Sequence, residues 1–251
     1  MTTPIPLTYN GYVSQIANLA VMTTQTVNGV VSGVDASFNT ALLSALNYAE
    51  LRIQRDLDLL PSLTSNNYNI TAGSNQVSIP VGDFVTIQTL SISGNPLSPV
   101  SKEFIQNVYG TSGITGQPAY FAMIGGDNAG GSTSNNILFG PYADANYAIS
   151  AFGTVRLPSL NTYANQAQAG TATTFISQFL PDLLTQASLI VIAQYQRNFG
   201  AAVGSDPDMP GAYEAVYQGL LRGAGVEEAR KKFSAGAWSS MGQTPVATPG
   251  R

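Results

Sequence analysis

Histidine and cysteine are both missing from the 251 residues. Their absence excludes zinc sites of the usual kind, thiol chemistry, and a histidine base or serine–histidine triad. No disulfide framework can form, so the redox character of the compartment leaves no trace. Charge is scarce as well, at 10% of residues against about a quarter in an average protein. The net balance of −4 is the wrong sign for a chain that grips phosphates with a basic stripe. No basic residue precedes Arg52, so a secretory leader with a charged start is not expected. The most apolar run, Ala187–Ala193, is far shorter than the roughly 20 residues a membrane-spanning helix needs. The expectation is a soluble chain made in the cytoplasm, folded as one large domain or two intimate pieces.

What is present falls into a helical, then β, then helical order, an α+β fold. Residues 1–65 read as an N-terminal helical segment. Within it, Tyr12 to Met22 has helical spacing, Thr23 to Gly33 reads as a loop, and Asp35 caps a helix running to about Leu59. Phe38, Leu42, Ala45, Leu46, Ala49, Ile53 and Leu57 share one face of that helix. Arg52 and Asp56 form an i,i+4 pair on the other, expected to be a solvated or inter-subunit surface. Residues 66–158 read as a central antiparallel region of about five to six strands. Tyr68–Thr71 and Gln76–Ile79 flank a hairpin-like connection with Gly73, and Ser101 caps a short helix. Asp83 is the one charged residue between Asp58 and Lys102. A β region so neutral is expected to pack against neighbours.

Residues 125–135 are a Gly-, Asn- and Ser-rich loop expected to be flexible. Asn161 to Thr173 reads as a polar linker. The C-terminal part, 159–233, carries two helices that complete the helical part, from about Phe175 to Asn198 and from near Pro210 to about Phe233. Glu227–Lys231 and Glu228–Lys232 are spaced as acid-before-base pairs. Residues 234–251 read as a flexible tail rich in Ser, Gly, Thr and Pro.

Near-matches to chemical motifs fail on inspection. Gly126 to Thr133 is one letter from a phosphate-binding loop, but Ser132 stands where the Lys is needed. Asp206 to Gly211 begins like a calcium loop, yet Pro210 and Tyr217 occupy liganding positions. Asp56 and Asp58 lie two residues apart on a helix, so they point about 200° away from each other. No constellation resembles an active site, and no cofactor or metal is expected. Arg230, Lys231 and Lys232 make the densest cationic stretch. They complement the helix dipole and a partner surface better than they signal DNA binding. Phe233 and Trp238, carried past the helix, suit a partner's groove.

Several ordered segments resemble a known family. Leu46-Asn-Tyr-Ala-Glu-Leu-Arg-Ile-Gln-Arg-Asp-Leu-Asp58 resembles the opening helix of bacteriophage head-to-tail adaptor (connector) proteins, with its A-E-x-R-I-x-R-D-L pattern. Val77 to Phe84, Gly116 to Ala122, Ile137 to Pro141 and Asp144 to Phe152 are similar to its successive strands. Phe179 to Leu184 and Tyr213 to Tyr217 are similar to its two C-terminal helices. The resemblance spans about residues 10 to 232. It implies a virion neck subunit, made in the host cytoplasm, that forms a dodecameric ring homo-oligomer beneath the portal protein. Such a ring extends the DNA channel for packaging and ejection without specific binding of the double-stranded DNA, and it offers tail or nozzle proteins a platform. On this resemblance, Arg230, Lys231, Lys232, Phe233 and Trp238 are expected to meet the portal. The alternative expectation is another virion structural protein, a head-completion or tail-tube subunit.

Overall fold

The computed structural model describes residues 6–80, 82–110, 113–125, 134–199 and 209–240. In chain order, α1 (Tyr9–Leu19) precedes β1 (Thr24–Val27), β2 (Val30–Gly33) and α2 (Ala36–Asp56). Next come β3 (Leu63–Ile70), β4 (Gln76–Pro80), β5 (Thr86–Ile92), β6 (Asn95–Pro96), β7 (Ser98–Pro99) and α3 (Lys102–Tyr109). They are followed by β8 (Thr115–Gly116), β9 (Tyr120–Gly125), β10 (Ser134–Gly140), β11 (Tyr142–Ala143) and β12 (Tyr147–Thr154). Three helices close the order: α4 (Phe175–Phe179), α5 (Pro181–Phe199) and α6 (Met209–Ser240). The fold is α+β. It divides into a helical unit, Met1–Leu60 with Leu157–Arg251, and a β unit, Pro61–Arg156.

In the helical unit, α1 starts where the Thr8 side chain accepts from the Gly11 N–H, and α2 where Asp35 accepts from Ser37. Both satisfy a first-turn donor that the helix itself cannot. The apolar stripe of α2 is buried as its spacing predicts, with Phe38, Leu42, Leu46 and Ile53 fully enclosed. They pack in one cluster with Tyr12 and Ile16 of α1, Leu183 and Leu184 of α5 and Tyr217 of α6. The Tyr12 hydroxyl donates to Ser188 Oγ at 2.9 Å, and Ser188 donates to the Leu184 carbonyl. A buried polar pair is thereby satisfied inside the apolar core.

Three expectations for this unit are corrected. Thr23 to Gly33 is no loop: β1 and β2 pair antiparallel around Asn28 and Gly29, at φ of 52° and 79°. Positive φ at both central residues is the turn that matches strand twist, and Asn-Gly is the pair that adopts it. The Asn10 side chain fastens the turn, donating to the Gly29 carbonyl and accepting from the Val31 N–H. The helix expected from Phe175 to Asn198 breaks at Leu180, whose φ of −130° and ψ of 44° lie outside the helical region. Pro181 imposes this, because its ring disfavours helical backbone in the residue before it. The Asn161 to Thr173 linker is instead two short 3-10 turns, Leu160–Tyr163 and Ala167–Gly170, with Leu160 and Ala169 buried.

The β unit holds two four-stranded sheets in the orders β3-β12-β5-β6 and β4-β10-β9-β7. Side chains of both sheets, among them Ile79, Leu90, Ile92, Ile137, Phe139 and Ile149, form one apolar core. Helix α3 starts at Ser101, whose Oγ accepts from the Phe104 N–H, and buries Ile105 with Ala122 and Leu138. Two departures from expectation concern pairing. β3 and β4 do not form a hairpin: β3 pairs with β12 and β4 with β10, so the turn at Gly73 carries the chain from one sheet to the other. The region is not purely antiparallel, since β7 runs parallel to β9 and β8 to β11. At the irregularity between Phe152 and Gly153 of β12, a Cβ on residue 153 would collide with the Thr86 carbonyl. Glycine is therefore demanded there by close backbone approach. β9 ends at Gly125 and β10 starts at Ser134. The phosphate-loop near-match at 126–133, the core of the expected flexible loop, lies outside the described residues.

Candidate partner-binding surface

Charge in the helical unit is concentrated along α2 and α6, and part of it is turned inward. Arg52 reaches from α2 to Glu214 of α6 with a fork of two bonds, Nη1 to Oε2 at 2.8 Å and Nη2 to Oε1 at 2.6 Å. Its guanidinium lies 4.2 Å from the Tyr217 ring centroid, and the Tyr217 hydroxyl donates to Asp56 Oδ2 at 2.8 Å. Two parallel charge-assisted bonds under an aromatic face make a geometry that only Arg supplies. The bonds to Glu214 raise the Arg52 pKa and hold the Glu214 carboxyl below its usual range. The expected Arg52–Asp56 pair forms at 3.5 Å, but the face expected to be solvated or inter-subunit instead carries a clamp between two helices of this chain.

Glu50, spaced like Arg52 for a solvated or inter-subunit charged face, is turned inward as well. It is 2% exposed, and it accepts from the Leu160 N–H at 2.8 Å and from the Ser159 hydroxyl. Burial raises its pKa, with the backbone bond from Leu160 and the bond from Ser159 opposing the shift. The signal lay in the spacing: four residues from Leu46 and three from Ile53, Glu50 falls on the buried stripe. Nearby, Gln54 accepts from the Leu157 N–H at 3.0 Å.

The C-terminal cations follow the same inward pattern in part. Glu228, 4% exposed, accepts from the Leu60 N–H at 3.1 Å and pairs with Lys231 at 2.7 Å. Lys231 also pairs with Glu227 at 2.9 Å, as the i,i+4 spacing predicts. Its ammonium lies within 6 Å of the Phe175 and Phe179 ring centroids. Lys232 pairs with Asp58 and not with Glu228, because Glu228 is turned under α6 toward Leu60. Asp56 and Asp58 thus serve separate contacts. Arg230 alone of the three cations is exposed. It lies on the outward side of α6 with Ala212, Val216, Gly219, Gly223 and Val226, all exposed.

Phe233 and Trp238 are carried on α6 itself, which continues to Ser240. The tail expected from residue 234 is helical that far, because adding residues to an existing helix requires no new nucleus and Ala235 and Ala237 favour it. The side chains of Phe233 and Trp238, and residues 241–251, lie outside the described residues. A groove of about 290 Å³ runs beside the helix, lined by Phe179, Leu180, Leu183, Gly219, Leu220 and Gly223, with Asp182 and Glu227 at its rim. Phe179 stands 48% exposed there.

Among the described residues no group of three or more Asp and Glu could hold a metal ion. The calcium-loop near-match begins at Asp206, and its residues through Asp208 lie outside the described residues. Among the described residues no single helix is long and apolar enough to cross a membrane. A family model described as SU10 adaptor protein matches residues 13–246. No curated protein matches the chain.

Proposed function

The chain belongs to the SU10 adaptor protein family, and from that membership we propose that it forms a ring beneath the portal of a tailed bacteriophage. Adaptor membership makes it a structural component of the virion that contacts other virion proteins. In the proposed ring, a dodecamer, the subunits extend the DNA channel during packaging and ejection and present a platform to tail or nozzle proteins. The family match over residues 13–246 carries the reading. Two features support it. Large apolar side chains stand exposed in both units, among them Val85, Met123 and Phe152 in one and Phe179, Val216 and Val226 in the other. Such surface suits a chain covered by neighbours. Net charge of −4 suits a conduit, since affinity for phosphates would retard passage of DNA.

The C-terminal end of α6 and the residues after it are the proposed contact with the portal, with Arg230 as the exposed cation and Lys231, Lys232, Phe233 and Trp238 flanking it. Cross-linking mass spectrometry on purified phage necks, with the copy number of this chain relative to the portal, tests the whole reading. Cross-links from 230–251 to the portal at near-equal copy number are expected. A chain in large excess over the portal, or cross-linked only to tail proteins, would overturn it in favour of a tube or completion subunit. Deletion of 234–251 is expected to abolish portal attachment, and retained attachment refutes the assignment of that segment.

A further inference from the structure

Soluble proteins protect the outermost strands of their sheets, because outward N–H and C=O groups are a template for pairing with another chain. Charge, proline, bulges and shortness are the usual devices. The β unit applies them unequally. β6 and β7, each at one end of a sheet order, are two residues long and finish in Pro96 and Pro99. At the other ends, β4 has five residues closed by Pro80, whereas β3 has eight with neither charge nor proline. The register of β3 against β12 is unbroken from Leu63 to Ile70. Among the described residues, no backbone group pairs with the opposite edge of β3.

The surroundings of that edge are equally unguarded. Ser65, Asn67 and Asn69 are exposed along β3. Phe152, opposite Ser65 on β12, is 51% exposed, and Leu63 is 41% exposed. Leu63, Ser65, Gln88 and Phe152 border an open groove of about 480 Å³. Of the charges in the β unit, Asp83 is held by the Tyr68 hydroxyl at 2.7 Å, and Arg156 stands exposed two residues beyond Thr154, the partner of Leu63.

We infer that β3 is the seam at which one copy of this chain pairs, backbone to backbone, with a second copy. The inference rests on the ring reading above and deepens it by naming the contact. Charge selects the occupant. Foreign partners are steered and discriminated by complementary charge, and the eight residues of β3 offer none. The chain's own β region, with one charged residue between Asp58 and Lys102, supplies a surface equally neutral. Strand addition draws its affinity from main-chain bonds and its register from alternate side chains, and β3 presents both. An eight-residue strand pair falls short of the roughly 1,200–2,000 Å² a stable interface buries. The face bearing Ser65, Asn67 and Phe152 is therefore covered with it.

Hydrogen exchange followed by mass spectrometry, comparing the assembled full-length protein with the dilute monomer, tests the seam. The amides of residues 63–70 are expected to exchange at least about tenfold more slowly in the assembly, as paired edge amides do. A Ser65→Lys/Asn69→Lys variant is expected to keep the circular dichroism of the parent and to lose assembly. A Gln106→Lys/Asn107→Lys variant, adding the same charge on the exposed side of α3, is expected to assemble normally. Assembly without added protection at 63–70, or assembly of the β3 variant like the parent, overturns the seam and leaves the ring reading standing. A chain that stays monomeric both alone and with the phage portal overturns the ring reading and the seam together.

Discussion

The two units of the molecule are held together by different means. In the helical unit, polar bonds join segments that are far apart in sequence: Arg52 to Glu214, Tyr217 to Asp56, Leu160 to Glu50 and Leu60 to Glu228. In the β unit, side-chain bonds such as Ser150 to Asn67 and Ser78 to Asn136 lie on exposed strand surfaces, and the order comes from ladder register and one apolar core. The contrast follows from chain layout. The helical unit is assembled from two separated stretches, so helix faces alone would leave their pairing underspecified, and forked or buried polar contacts choose the partner. The β unit is continuous, and a one-residue slip in any strand would turn its apolar side chains outward. Its core therefore specifies it without help from charge.

If that contrast is right, apolar truncation should dominate in the β unit. Phe139→Ala removes a fully buried ring and is expected to cost about 3–5 kcal/mol in urea unfolding. A loss below about 1 kcal/mol would show that the β unit does not depend on that core. In the helical unit, Arg52→Ala is expected to cost about 2 kcal/mol, and Arg52→Lys to recover roughly half or less, because an ammonium cannot fork. Full recovery by Lys would reduce the clamp to simple charge attraction.

The pH dependence sharpens the same contrast. Glu50, raised by burial, holds its proton more tightly folded than unfolded. Its contribution is fully present below the ordinary value of 4.5 and is lost as pH rises through the folded value. Glu214, lowered by the bonds from Arg52, contributes above its ordinary value and loses that contribution as pH falls through the folded one. The stability of the parent relative to Glu50→Gln should therefore grow as pH is lowered from 7 toward 4.5. Relative to Glu214→Gln it should shrink on further acidification. Denaturant midpoints from pH 7 to below the ordinary value of 4.5 check both signs. The smallest effect is expected at the β surface, where Ser150→Ala should stay within about 0.5 kcal/mol.

Local signals carried much of this architecture. Asp35 and Ser101 announced their helices through capping chemistry, and the apolar spacing of α2 located its buried face. The Asn28-Gly29 pair was an equally plain turn signal. It reads as a loop only because β1, Thr24-Gln-Thr-Val27, is exposed throughout and shows no alternation. Pairing was harder to read. The turn at Gly73 looks alike whether its strands join or part into separate sheets, and the choice depends on β10 and β12, far along the chain. The Arg52–Glu214 clamp left no trace in either helix, since each residue alone is an ordinary surface charge. Glu50 reads as one more charge of a solvated or inter-subunit face, although its place on the apolar stripe carried the signal of its burial. Lys231 and Lys232 are conspicuous as a cationic run; the helix itself gives Lys231 its acidic partners, yet the pairing of Lys232 with Asp58 emerges only from the way α6 packs.

Synthesis proceeds in one direction, and the layout of the chain makes that direction matter. The stripe of α2, with Phe38, Leu42, Leu46 and Ile53, packs in one cluster with α5 and α6. The entire β unit, Pro61–Arg156, is translated between α2 and those helices. At about 5–20 residues per second, α2 waits on the order of 5–20 s for its partners while the β unit acquires all of its strands. Until α5 and α6 are made, the apolar side of α2 lacks the partners that bury it, while the whole β unit is already synthesised. The helical unit can close only when the C-terminal stretch, Leu157–Arg251, has been added to Met1–Leu60.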